Sequence, residues 1–132
     1  MSAEPGETST EDLVADVFAR NCASRRTLES VTGKWGALSL VALREGAYRF
    51  NALRRRVDGV SEKMLAQTLQ TLERDGLVKR EVLATIPARV EYTLTPLGTE
   101  IADRMFGLIQ LLEARVPEVV AARDEYDATH RR

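Results

Sequence analysis

The chain has 132 residues and a mass of 14.7 kDa, which is the size of one domain. Its composition, 44% hydrophobic, 30% charged and 5% aromatic, is typical of a helix-rich globular protein. The single cysteine excludes an internal disulfide framework, and the single histidine argues against a histidine metal site or a Ser–His triad. Even the longest stretches without charge, such as Trp35 to Leu43, are far shorter than the roughly 20 residues of a membrane span. The acidic first thirty residues argue against a signal peptide.

The net charge of −1 conceals an uneven distribution along the chain. Residues 1–33 carry a net charge of −3, residues 34–92 carry +4 and residues 93–132 carry −2. A basic middle between acidic ends is expected when one surface meets a polyanion. The alternative is that a helical protein simply has an uneven solvated surface.

The N-terminal third predicts a tail followed by short helices. Residues 1–9 are small, polar and acidic, which indicates a disordered tail before a single domain over 10–132. Thr10 is the expected cap of a helix over residues 11–20, and Ser24 that of a second helix through Val31 that ends at Gly33. The apolar face of the first helix comprises Leu13, Val14, Val17 and Phe18.

The middle of the chain predicts three further helices. Trp35 to Arg44 is apolar nearly all round, as in a fully buried helix, and Gly46 closes it. Residues 49–56 follow as a short helix, and Asp58-Gly59 is a turn signal. The clearest helix is capped by Ser61 and terminated by Gly76. Its buried stripe is Leu65, Leu69 and Leu72, and its opposite face carries Lys63, Gln67, Gln70 and Arg74.

The hydrophobic period then changes from 3.6 to 2, which predicts a β-hairpin. One strand contains Val78, Arg80 and Val82, and the other contains Val90, Tyr92 and Leu94. Thr95-Pro96 predicts the start of a long C-terminal helix, with a kink or a restart expected at Pro117.

Three helices followed by a hairpin is the element order of a winged helix-turn-helix, a mainly α (α+β) fold. In that fold the helix before the hairpin enters the DNA major groove, and the hairpin touches the backbone or the minor groove. Glutamine suits a bidentate contact to adenine, and lysine suits guanine. The predicted DNA-binding residues are Arg49, Arg54, Arg56, Ser61, Lys63, Gln67, Thr68, Gln70 and Arg89. The alternatives are that these are ordinary solvated residues, or that the fold serves as a protein-interaction module.

Five motifs occur together in the chain: Gly33-Lys34-Trp35, Tyr48-Arg49-Phe50-Asn51 with Leu53, Val60-Ser61-Glu62-Lys63-Met64-Leu65, Leu72-Glu73-Arg74-Asp75-Gly76-Leu77-Val78-Lys79-Arg80 and Pro87-Ala88-Arg89-Val90-Glu91-Tyr92-Thr93-Leu94-Thr95. With them the sequence resembles the HxlR-type winged helix-turn-helix transcriptional regulators, relatives of the MarR type. The resemblance spans about Cys22 to Gly98, in the family's order and spacing. Thr68 stands where the family often has an arginine, so base contacts cannot be transferred from relatives.

The resemblance implies a cytoplasmic, nucleoid-associated homodimer that binds double-stranded DNA at a palindromic operator. Dimerisation would involve the N-terminal helices over 10–33 and the C-terminal helices over 96–130, flanking the winged helix-turn-helix over 34–95. The two half-sites would be about one turn apart, roughly 34 Å, and most members of the family are repressors. No cofactor and no membrane partner are expected. No enzymatic activity is expected either, since the sequence shows no phosphate-binding loop and no paired-carboxylate motif.

Cys22 occupies the position where redox or electrophile sensors of this family carry their reactive cysteine. Arg20, Arg25 and Arg26 are close in sequence, and nearby cations favour the reactive thiolate. With one cysteine per chain, a reversible disulfide would join two subunits or capture a small thiol. The alternatives are a structural Cys22 packed as a small hydrophobe, with control by a small-molecule effector held in the dimer groove.

Overall fold

The computed structural model describes residues 17–20 and 22–131, and it shows the predicted order of helices and hairpin. The tail predicted over residues 1–9, and the first part of the helix predicted over 11–20, lie outside these residues. The helices are Ala23–Thr32 (α1), Lys34–Leu43 (α2), Phe50–Arg56 (α3), Glu62–Arg74 (α4) and Pro96–Thr129 (α5), and the strands are Val78–Leu83 (β1) and Arg89–Leu94 (β2).

The core lies where α2, α3 and α4 meet the base of the hairpin. Its centre is formed by leucines that are fully buried, one from each of α2 and α3 and three from α4. Fully burying a leucine contributes about 1.5–3 kcal/mol, so the apolar stripe of α4 is what docks this helix. These central residues are Leu40, Leu53, Leu65, Leu69 and Leu72.

The hairpin is antiparallel, with Val78 opposite Leu94 at its base and Leu83 opposite Arg89 near its tip. The segment before α3 also joins it, since Tyr48 and Tyr92 exchange backbone hydrogen bonds of 3.0 and 2.8 Å. This bridge, which the sequence pattern did not indicate, ties α3 to the hairpin.

Two glycines permit close approach of neighbouring backbones. A Cβ atom at Gly36 of α2 would lie 2.0 Å from the carbonyl oxygen of Ser30 in α1. A Cβ atom at Gly98 of α5 would lie 1.9 Å from the carbonyl oxygen of Leu77. Both positions therefore require glycine if α1, α2 and α5 are to keep their places.

The structure corrects the predicted boundaries before α2. Cys22, rather than Ser24, is the N-cap of α1, and its side chain makes no capping hydrogen bond. The preceding helix does not reach residue 20, because the chain turns where the Cys22 N–H donates to the Ala19 carbonyl (3.1 Å). Phe18 is consequently 72% exposed rather than part of a buried face.

Two further expectations are wrong. The first is that α2 is fully buried, since Leu38 is 40% exposed beside α5. The second is a restart at Pro117, since α5 is one continuous helix from Pro96 to Thr129. Proline removes a single backbone donor and has a φ compatible with a helix, so the hydrogen bonds on either side sustain α5. None of the described helices is long and apolar enough to cross a membrane.

Candidate functional site

The outward face of α4 is the most regular polar surface in the described part of the chain. Lys63, Gln67 and Gln70 are exposed there, opposite the buried leucine stripe. Ser61 caps the helix by accepting a hydrogen bond from the Met64 N–H at 3.1 Å. The structure brings these four residues together on one docked helix, and their contacts with DNA stay a prediction.

Thr68 does not share this face. It is half-buried on the flank of α4 that looks toward α1 and α2, where it lines a cleft with Trp35. At 100° per residue it stands about 100° around the helix from Gln67, which removes it from the outward surface. Trp35 packs against the core.

Arg49 and Arg54 are basic residues of α3, the helix that precedes α4 in the chain. Arg49 is the N-cap residue of α3, and Arg54 lies in its last turn. Both are exposed, and neither forms an ion pair with any residue that the structure describes. Their guanidinium groups are therefore available to an external anion.

Arg56 differs from its neighbours, because its guanidinium is bound within the protein. Its Nε and Nη2 donate to the two carboxylate oxygens of Glu45 at 2.8 and 2.6 Å. The hydrogen bonds from Arg56 and then from the Tyr48 hydroxyl lower the pKa of Glu45 to about 2. The Arg56 guanidinium therefore already has a partner within the protein, and its predicted phosphate contact stays a prediction.

Arg89 lies at the start of β2, next to the tip of the hairpin. Its Nη1 is 3.9 Å from Oε2 of Glu91, a long contact between two residues on the same strand. This partially solvated pair is weak enough for an external anion to compete with Glu91.

Cys22 is half-buried at the beginning of α1. Of the three nearby arginines, Arg25 is engaged elsewhere, since its Nη1 donates to the Phe18 carbonyl at 2.9 Å and its Nε lies 3.9 Å from Glu29.

Among the described residues no cluster of histidine, cysteine and acidic side chains could hold a metal ion.

Sequence reasoning missed Lys34 and Arg26, which stand beside α4 in the folded chain. Both line clefts along the flank of this helix, together with Arg74 of α4 itself. The positive charge of residues 34–92 is a sequence signal that includes Lys34. Arg26 lies outside that segment, so no sequence signal indicated it. Contacts between residues so far apart in sequence become visible only in the fold.

Comparisons with known proteins agree with this architecture. Residues 30–120 match the HxlR-like helix-turn-helix family. The uncharacterized HTH-type transcriptional regulator YtfH of Escherichia coli (strain K12) is 52% identical over 110 residues, which cover 83% of this chain and 87% of the relative. The names of such relatives are those of regulators and not of enzymes.

Solved structures resemble the chain as well. The structure of YtfH from Salmonella typhimurium, named as a transcriptional regulator, superposes with a TM-score of 0.75 at 50% identity, covering 81% of this chain and 96% of that one. The redox regulator HypR in its reduced form gives a TM-score of 0.67 at 31% identity, covering 74% of this chain and 97% of that one. The chain therefore belongs to the HxlR-like helix-turn-helix family of transcriptional regulators.

Proposed function

We propose that this protein is a sequence-specific DNA-binding transcriptional regulator that inserts α4 into the major groove. The observation that carries the proposal is the exposed row of Lys63, Gln67 and Gln70 opposite the buried stripe of α4. Long, unbranched side chains that donate hydrogen bonds can reach base edges: glutamine pairs with adenine and lysine with guanine. The buried leucines hold the helix rigidly enough to keep these groups in register.

The surrounding residues suit contacts to the DNA backbone. In this proposal Ser61, Arg49 and Arg54 contact phosphates beside the major groove, and Arg89 reaches the minor groove from the hairpin. Arg56 is left out because Glu45 holds its guanidinium. Thr68 is left out of the base contacts because it does not face outward.

A homodimer on a palindromic operator is the assembly that we propose. Along α5 beyond the hairpin, apolar side chains are about half exposed in the single chain, which is unfavourable in water unless a partner covers them. A two-fold dimer would place two copies of α4 on half-sites roughly 34 Å apart. Repression, and a place on the nucleoid in the cytoplasm, are proposed from the family resemblance. The exposed apolar residues of this segment are Leu108, Leu111, Leu112, Val116, Val119, Val120 and Tyr126.

Two modes of control are compatible with the structure. In the first, two Cys22 thiols form an intersubunit disulfide, giving two electrons and two protons to an oxidant such as hydrogen peroxide, which becomes two molecules of water. The half-exposed position of Cys22 and the similarity to the redox regulator HypR support this mode. In the second, Cys22 is structural and a small-molecule effector binds, for which a cleft of about 480 Å³ between α2 and Phe106 of α5 supplies space.

The decisive experiment is fluorescence anisotropy with the DNA that flanks the protein's own gene. We expect tight binding whose affinity falls steeply with salt, because several phosphate contacts release counterions. Binding is measured again after mild oxidation with peroxide, after thiol reduction, and with the Cys22→Ser variant as control. A reversible change in the wild type alone supports Cys22 control, whereas indifference to oxidation favours the effector.

Absence of DNA binding at low salt would contradict the proposed function itself. It would leave the winged-helix protein-interaction module as the better explanation of the same surface. A binding constant insensitive to salt would have the same meaning, since ordinary solvated residues make no persistent phosphate contacts.

A further inference from the structure

Two adjoining clefts run along the flank of α4 that faces α1 and α2. The first, of about 260 Å³, lies between the start of α2 and the first half of α4 and is lined by Lys34, Trp35 and Gln67. The second, of about 380 Å³, lies between α1 and the end of α4 and is lined by Arg26 and Arg74. Both are lined by Ser30 and Thr71, so they form one continuous open groove, here called the flank groove.

The flank groove contains three cations with no ion-pair partner among the residues that the structure describes: Arg26, Lys34 and Arg74. Two carboxylates, Glu29 and Asp75, also line the groove, but Glu29 lies within 3.9 Å of Arg25 instead. All three cations are exposed to solvent. The groove therefore keeps unneutralised positive charge even though acidic side chains are close by.

Lys34 is held in place without losing its hydrogen-bonding capacity. Its Nζ atom lies 4.6 Å from the centroid of the Trp35 ring, a cation–π contact. The ring occupies one side of the ammonium group, so the N–H groups that point away from it can still donate to an acceptor in the groove. Trp35 thus restrains a lysine that would otherwise sample many rotamers.

The spacing of these charges suits a polyanion rather than a small ion. Lys34 stands beside Gln67, and Arg74 lies seven residues further along α4, a distance of about 10 Å at ~1.5 Å per residue. Phosphates repeat along each DNA strand, so a line of cations about 10 Å long can meet more than one of them. A small anion would need cations that converge on one point, whereas these are distributed along a line.

We propose that Arg26, Lys34 and Arg74 contact the DNA phosphodiester backbone along the edge of the major groove into which α4 inserts. This inference rests on the proposed function and adds residues from α1 and α2 to the DNA interface. The three contacts carry no sequence information and fix the orientation of α4 on the duplex.

The test is the salt dependence of binding to a random-sequence 30-base-pair duplex and to the gene-flanking DNA. Lys34→Gln, Arg26→Gln and Arg74→Gln are each compared with Arg131→Gln, which removes the same charge at the far end of α5. Each groove variant is expected to reduce the slope of log K against log salt by about 0.9 per lost contact, and by about 1.8 in a dimer. The reduction is expected to be equal on both DNAs, and Arg131→Gln should keep the wild-type slope.

Circular dichroism and the melting temperature establish that each variant is folded. Arg26→Lys and Arg74→Lys, which retain the charge, should keep the wild-type slope and so distinguish lost phosphate contacts from a distorted groove. If the wild type binds with a steep slope that no glutamine variant reduces, the inference is overturned and the proposed function stands. If the wild type binds neither duplex, both the inference and the proposed function are overturned.

Discussion

At the scale of single residues, adjacent arginines with the same chemistry have different roles. Arg54 has no ion-pair partner among the residues that the structure describes, whereas Arg56, two residues later, is bound by Glu45. The sequence presents both as one basic run, and simple helix geometry predicted that they face outward. The partner of Arg56 lies 11 residues upstream, across the Tyr48 segment, so no local pattern identifies it. Long-range neutralisation of this kind is why a list of basic residues overestimates a DNA interface.

Two substitutions should separate affinity from specificity. Arg49→Ala should weaken binding to every DNA sequence, because it removes a phosphate contact and reduces the salt slope. Gln67→Ala should also relax base preference, at a cost of about 1–3 kcal/mol on the preferred operator, because a bidentate base contact is lost. Competition with operator variants that differ by one base pair measures the loss of base preference separately from the loss of affinity. Unchanged affinity and preference in Gln67→Ala would show that the outward face of α4 does not contact bases.

At the scale of helices and strands, two close approaches depend on glycine, which has no side chain. Gly36 lets α2 pack on α1, and Gly98 lets α5 pack against the backbone of Leu77 at the base of the hairpin. Gly36→Ala and Gly98→Ala should each destabilise the fold by about 1–3 kcal/mol, because the new methyl group collides with a backbone carbonyl. Gly107→Ala is the matched control, since nothing lies within 4 Å of its Cβ position. It should stabilise α5 by about 0.5–1 kcal/mol. Urea unfolding measures the change in the free energy of unfolding for each of the three variants. Equal changes at the three glycines would rule out the steric explanation.

The sequence predicted those helices and strands whose ends carry local signals. Ser61 and Thr95 each cap a helix as expected, and Gly76 has the positive φ of 77° that ends α4. Local signals gave wrong helix boundaries where tertiary contacts determine the boundary. Cys22 replaces Ser24 as the N-cap, and α5 continues through Pro117. The polar face of α4 was predictable from its 3.6-residue period, whereas the flank groove was not, because it combines α1, α2 and α4.

At the scale of the whole molecule, the exposed apolar residues of α5 should determine the oligomeric state. Leu112 is 51% exposed, and Leu112→Glu places a charge in the stripe proposed to bury itself against a second copy. We expect this variant to be monomeric by light scattering and to bind DNA more weakly, because each half-site is then held alone. Gln110→Glu adds the same charge on the opposite side of α5 and should stay dimeric. If Leu112→Glu and Gln110→Glu are both dimeric, this stripe is not part of the dimer interface.

The length of α5 has a mechanical consequence for such a dimer. Its 34 residues at ~1.5 Å each make a rod about 51 Å long. If two such rods pivot where they pair at their C-terminal ends, a tilt of about 4° displaces the opposite end by ~3.6 Å, close to the ~3.4 Å rise of one nucleotide. The long helix then acts as a lever that converts a small angular change into a register error of one base pair between the two half-sites. A signal that reaches the pivot has only to rotate α5 slightly to make a matched operator a mismatched one.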